Sequence, residues 1–281
     1  MSKKKSSPAP SLHRVTSADG TAISFERSGD GPVVILVAQA LSDLRDNRRL
    51  AALLADTRTV VNYDRRGRGG SGDAGGWSIA REIDDIEALI DAHEGRAVLF
   101  GASSGAILAL DAAAALPEKV GGVIAFEPPV IVDDRRAPVP RDLADRLEQL
   151  VDEGRGADAV GEFHLVALGA SPFLTGAMRL MVGPWRAMVA MAQTAVYDTR
   201  LCAGLQDGMP LSRDRWGGLQ ARALVLVGSK SEPFLHSGTL ELASLIGARY
   251  ATIAGAHHAT PMMKPAALMP SISSFLRATL P

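Results

Sequence analysis

The stretch Ala97-Val98-Leu99-Phe100-Gly101-Ala102-Ser103-Ser104-Gly105-Ala106-Ile107-Leu108-Ala109-Leu110 constrains this chain more than any other. Ala97 to Phe100 is a short apolar run of the kind that forms a buried strand. Ala106 to Leu116, rich in Ala and Leu and stopped by Pro117, predicts a helix. Between them stands Gly101-x-Ser103-x-Gly105. This spacing lets the chain turn sharply from strand to helix, because the glycines leave room where a side chain would clash with a neighbouring element. Ser103 is then at the apex, with its hydroxyl exposed above the sheet edge. The N–H of Ser104 opens the helix, where partial positive charge favours an oxyanion. In a chain with 28 glycines such spacing also arises by chance in loops. The strand before it and the helix after it single this one out.

The flanking sequence repeats the same alternation. His13 to Val15 and Ile23 to Arg27 predict a hairpin closed at Asp19-Gly20, a turn dipeptide. Val33 to Val37, Thr59 to Tyr63, Gly122 to Phe126, Ala223 to Val227 and Tyr250 to Ile253 read as buried strands. Helices are expected at Leu50 to Leu54, after the N-cap residue Ser78, at Leu240 to Ile246 and at Ala266 to Leu276. Buried strands alternating with amphipathic helices predict an α/β fold with a mostly parallel central sheet and helices on both faces. One gap breaks the rhythm. From 131 to 219 no strand is evident, while Arg141 to Val151, Ala157 to Leu168 and Pro184 to Tyr197 read as helices. About ninety residues of helix in one crossover is too long for a loop and predicts a helical cap insertion. The expected organisation is a tail over 1–11, a core over 12–130 and 220–281, and a cap over 131–219.

Composition narrows the function classes. The chain has 281 residues, 47% of them hydrophobic, enough for a sizeable core. Thirty basic residues against 31 acidic leave a formal charge of −1, so no basic surplus points to nucleic acid or an anionic membrane. Cys202 is the one cysteine, read as a packed core residue. Lys3-Lys4-Lys5 is followed by Ser, Pro and Ala rather than an apolar stretch, so the start reads as a disordered tail and not as a secretory signal. No apolar run reaches membrane-spanning length. The expectation is a cytoplasmic protein with no cofactor and no metal, because no His or Cys spacing suits zinc. Arg65, Arg66 and Arg68 lie among Gly67, Gly69, Gly70 and Gly72, but no Gly-Lys-Ser/Thr follows. That segment reads as a rigid turn braced by Asp64 and the arginines.

Taken together, the order of elements, Gly101-Ala102-Ser103-Ser104-Gly105, Tyr63-Asp64-Arg65-Arg66-Gly67-Arg68-Gly69, and the late Gly255-Ala256-His257-His258 resemble the α/β-hydrolase superfamily, in particular its capped bacterial serine hydrolases. The resemblance runs from about His13 almost to the end. It implies an α/β-hydrolase fold in which a serine nucleophile is activated by histidine. Aligned on the family's Gly-x-Gly-His, His258 takes the base position and His257 replaces a glycine. The family's usual acid follows the strand Ala223 to Val227, where this chain reads Gly228-Ser229-Lys230-Ser231-Glu232-Pro233, with Ser231 in place of the Asp. Glu232 is one residue late. Glu127, at the end of the strand after the elbow, is the other candidate, since some members place their acid there. Glu127 is preferred and Glu232 kept as the alternative. The family's His-Gly after the strand Val33 to Val37 is replaced by Ala38-Gln39-Ala40. The N–H of Ala40, with that of Ser104, is the expected oxyanion hole, and Gln39 either adds a donor or obstructs it.

The expected substrate is a small apolar molecule with an ester-like or related carbonyl, cleaved through an acyl-serine intermediate. Met178, Met181, Trp185 and Met188 cluster in the cap of a chain whose aromatic content is only 5%. They read either as ordinary helix core or as the roof of an apolar pocket. A non-hydrolytic lyase or cyclase of the same fold, or a binding protein on the same scaffold, are the alternative functions.

Overall fold

The computed structural model describes residues 11–93 and 95–279. The tail expected over 1–11 lies outside the described residues, apart from an exposed Ser11. Eight strands are present among the described residues: β1 Leu12–Thr16, β2 Ala22–Ser28, β3 Val33–Val37, β4 Thr59–Tyr63, β5 Ala97–Ala102, β6 Val120–Phe126, β7 Arg222–Gly228 and β8 Arg249–Ile253. The helices are α1 Leu44–Leu54, α2 Ile79–Asp91, α3 Ser104–Ala115, α4 Leu143–Asp152, α5 Gly156–Glu162, α6 Pro172–Arg179, α7 Val182–Ala190, α8 Ala192–Leu201, α9 Pro233–Leu245, α10 Thr260–Met263 and α11 Met269–Thr279. The strands form one sheet in the order β1-β2-β4-β3-β5-β6-β7-β8. β1 and β2 pair antiparallel, β2 joins β4 antiparallel, and every other neighbouring pair is parallel. This is the α/β-hydrolase fold that the sequence pattern predicts.

The sheet is buried on both faces, and alternate side chains of each strand enter different layers. Val33, Ile35 and Val37 of β3, with Leu99 of β5, pack on Ile86, Leu89 and Ile90 of α2 and the apolar length of α3. Val34, Leu36, Val98 and Phe100 face the opposite way, against Leu50 and Leu54 of α1 and Ile272, Phe275 and Leu276 of α11. Burying Phe100 or Phe275 is worth about 1.5–3 kcal/mol each. Ser78 caps α2 by accepting from the Arg81 N–H at 3.3 Å, as its position in the sequence predicts.

Five helices, α4 to α8, stand between β6 and β7, with a turn of π-helix over Phe163–Ala167. They share a separate apolar cluster that includes Leu147, Val160, Phe163, Trp185 and Val196, and reaches Leu41 after β3, Val227 of β7 and Phe234 of α9. Two expectations need correction here. The helix expected over Pro184 to Tyr197 is two helices, broken at Met191, whose φ of −108° and ψ of 16° leave the helical region. Helix α6 was not expected; Ser171 caps it and Pro172 opens it. Among the described residues, no helix is long and apolar enough to cross a membrane.

Candidate active site

Ser103 lies between β5 and α3 with φ 53° and ψ −127°, a conformation that costs a non-glycine residue on the order of 1–3 kcal/mol. The surroundings hold it there. Its N–H donates to the Phe126 carbonyl at 2.9 Å, tying the elbow to the end of β6. A Cβ at residue 101 would stand 2.1 Å from the Gly105 carbonyl oxygen, and one at residue 105 would stand 2.4 Å from that of Val37. Glycine is therefore required at both places. Ser103 is 5% exposed, and α3 presents its positive end beside it.

The neighbouring strand ends in a second strained residue. Glu127 has φ 47° and is fully buried. Its Oε1 accepts from the Gly228 N–H at 2.6 Å and from the Ser231 hydroxyl. Its Oε2 meets His258 Nδ1 at 2.7 Å. A carboxylate in this position accepts, so the imidazole proton sits on Nδ1 and leaves Nε2 as the acceptor. His258 follows β8, and its side chain is 39% exposed. Next to it, His257 is turned to its own loop: its N–H donates to Thr260 Oγ1 at 2.8 Å, and its Nδ1 accepts from the Ala259 N–H at 3.3 Å. Glu232 is exposed at the start of α9, where its side chain makes no capping bond. The structure thus brings Glu127 and His258 together and leaves Glu232 apart.

The turn after β3 contains the third strained position, Leu41, with φ 51°. Leu41, Ser103 and Glu127 are the three non-glycine residues of positive φ among the described residues, and all belong to this one region. The Ala40 N–H has no acceptor among the described residues. The Gln39 Nε2 donates to Met262 Sδ at 3.1 Å, and its buried Oε1 has no partner among the described residues. Below the turn, Arg65 and Arg68 are fully or nearly fully buried. Arg65 forks Glu82 at 2.6 and 2.7 Å, and Asp198 accepts from both arginines. Burial opposes ionisation of Glu82, but the Arg65 charge outweighs it and holds the carboxyl below its ordinary range. Asp64, accepting from the Leu44 and Gly70 N–H groups, closes the same loop, so the glycine–arginine segment is the braced turn expected.

The sequence pattern of the alpha/beta hydrolase family matches residues 41–270. The chain belongs to the alpha/beta hydrolase family. This hydrolase is similar to the crystal structure of an alpha/beta hydrolase from Sphaerobacter thermophilus DSM 20745, with 41% identity over 94% of this chain and 100% of that one and a TM-score of 0.85. It is 35% identical over 113 residues to the uncharacterized hydrolase YraK of Bacillus subtilis (strain 168), a match that spans 39% of this chain and 42% of YraK. A thermophilic esterase from Thermogutta terrifontis shares the fold, with a TM-score of 0.73 at 22% identity over 96% of this chain and 100% of that one.

The residues expected to roof the pocket of this hydrolase do not form one surface. Trp185 is buried among the inserted helices, with the Arg179 guanidinium 5.4 Å from its ring centre. Met178 and Met188 are partly buried against the cluster that contains Leu41 and Phe234. Met181, at the join of α6 and α7, is 58% exposed and stands apart from the others. Leu41, Ser231 as a partner of Glu127, and Asp198 were not anticipated as parts of the site. Only Ser231 left a trace in the sequence, as the residue standing where the family's Asp would be.

Proposed function

We propose that this protein is a serine hydrolase that cleaves an ester-like carbonyl compound through an acyl-serine intermediate. The observation that carries the reading is the 2.7 Å contact between Glu127 Oε2 and His258 Nδ1, made from the strand end next to the one that carries Ser103. It fixes the imidazole tautomer a general base needs.

In this reading Ser103 Oγ attacks the carbonyl carbon while His258 Nε2 takes the hydroxyl proton. Glu127 stabilises the imidazolium and is not itself protonated. The carbonyl oxygen becomes an oxyanion and is held by the N–H groups of Ser104 and Ala40. The tetrahedral intermediate then expels the alcohol, which leaves with the proton from His258. Water, deprotonated by the same imidazole, attacks the acyl-serine and releases the acid. The helices between β6 and β7 act as a cap, and Met178 and Met188, partly buried against the cluster that contains Leu41, are its residues nearest the oxyanion turn, while Trp185 packs inside it.

Incubation with a fluorophosphonate and intact-mass measurement tests the reading. The expected result is one adduct, lost in Ser103→Ala. A protein that takes no adduct but still hydrolyses activated esters would be using His258 to activate water directly, and one that neither takes the adduct nor hydrolyses esters would favour His258 as a base without acyl transfer, as in a lyase or cyclase.

A further inference from the structure

We propose that Asp198 is a positioning residue for the oxyanion turn, acting on the Ala40 N–H through Arg65 and Arg68. The proposal rests on the serine-hydrolase reading above.

The turn from Ala38 to Ser42 is held by its carbonyl groups. Arg65 Nη1 donates to the Ala38 carbonyl at 3.2 Å. Arg68 Nη1 donates to the Gln39 carbonyl at 2.5 Å and to the Ser42 carbonyl at 3.2 Å. The Gln39 contact matters most. The Gln39 C=O and the Ala40 N–H belong to one peptide unit, which is planar and trans, so they point in opposite directions. A guanidinium that fixes the oxygen therefore aims the N–H the other way. The same bond polarises the peptide and strengthens the N–H as a donor.

Two guanidinium groups side by side in a buried space need a shared anion. Asp198 supplies it, accepting from Arg65 Nη1 at 2.8 Å on one oxygen and from Arg68 Nη2 at 2.7 Å on the other. Its side chain is 1% exposed. Glu82 is committed to Arg65 and Trp77 and gives Arg68 no hydrogen bond. Burial, and then the Arg65 charge, press the Arg68 guanidinium below its ordinary range, and Asp198 is the first group acting against them. Without that carboxylate, the cation on the Gln39 carbonyl loses its ion-pair partner, and Glu82, held by Arg65, is the one remaining anion of the three named groups. Asp198 lies on α8, so the inserted helices set the geometry of the turn as well as covering it.

The variant Asp198→Asn keeps the size and one acceptor but removes the charge. Asp85→Asn is the control: Asp85 pairs with buried Arg66, whose donors go to Asp85, Asp19 and the Arg81 carbonyl and not to the turn. With an apolar activated ester, Asp198→Asn is expected to lower kcat by about 10- to 100-fold with little change in KM, somewhat less than deletion of an oxyanion donor costs. Affinity for a trifluoromethyl ketone, which forms the tetrahedral oxyanion, should fall in parallel, while affinity for the carboxylate product holds. Asp85→Asn should lower thermal stability without this split, and Asp198→Glu should recover part of kcat. If Asp198→Asn does not fold, Arg68→Lys serves in its place, because one ammonium cannot span both the carboxylate and the turn, and the same split is expected. Wild-type kcat and ketone affinity in the folded variant, or a loss of product affinity of equal size, overturn the proposal. Wild-type protein labelled at Ser103 alongside an unaffected Asp198→Asn overturns this inference alone. Wild-type protein that takes no fluorophosphonate adduct overturns the serine-hydrolase reading and this inference with it.

Discussion

Glu127 and His258 are 131 residues apart in the chain, yet the Glu127 carboxylate accepts a hydrogen bond from His258 Nδ1 at 2.7 Å while its other oxygen is held by the Gly228 N–H and the Ser231 hydroxyl. The loop after β7 therefore holds the Glu127 carboxylate through Ser231, while its own Glu232 stays apart. Positive φ at Glu127 turns the side chain from the end of β6 across toward that loop.

Glu127→Gln should lower turnover of an activated ester by roughly 10⁴-fold, because an amide favours the wrong imidazole tautomer and cannot stabilise the imidazolium. Glu232→Gln should leave it within a factor of about two, since exposed side chains away from the chemistry contribute little. Steady-state kinetics on the two variants decide the matter, and a loss confined to Glu232→Gln would reverse the assignment. Ser231→Asp in the Glu127→Gln background should restore part of the lost rate.

Ser103→Ala and His258→Ala should be about equally damaging, and the double variant scarcely worse, because members of such a unit do not act additively. His257→Ala should be milder, since its ring engages the Ala259 N–H of its own loop. Circular dichroism should show all of these folded. An inactive His257→Ala beside an active His258→Ala would transfer the base to His257.

Efficiency should rise with the size of the apolar group around the reacting carbonyl, with short acetyl esters poor substrates. Met188→Ala should raise KM more than it lowers kcat, because such a contact binds ground and transition states alike. Met181→Ala should do less, as that side chain is exposed. A flat profile across ester sizes would assign the methionines to helix packing.

Acid should weaken the inserted helices through His164. Burial lowers its pKa from the ordinary 6.5, and the bond to the Val160 carbonyl opposes this only in part. As pH falls through that value, the unfolded chain takes up the proton before the folded one does, so folded stability declines on the acid side and is unaffected well above it. Each unit of separation is worth about 1.4 kcal/mol. Thermal unfolding from pH 8 to pH 5 should fall more steeply for the wild type than for His164→Gln, and parallel curves would exclude this origin.

How far the sequence reaches depends on the range of the forces involved. β3 and β4 are read to the residue, because a β-branched run buried on both faces has one local solution. α1 begins six residues before the expected Leu50, since Asp43 caps it by accepting from the Arg45 N–H and its first turns are polar. The elbow was legible because strand, glycines and helix are contiguous. The strain at Leu41 and the reach of Asp198 to the arginines were not, as each depends on elements brought together by the whole sheet.

Glu127 and Ser103 both precede Val130, directly after adjacent strands, and the inserted helices begin only afterwards. A chain arranged this way can exchange the segment between β6 and β7 as a cassette, because the splice points leave the Ser103–Glu127 spacing to the sheet alone. His258 comes from the loop after β8, and its partner Glu127 stands directly at the end of β6. The graft has one condition: an incoming segment must carry a carboxylate at the place of Asp198, or the two arginines beneath the turn are left with one anion between them.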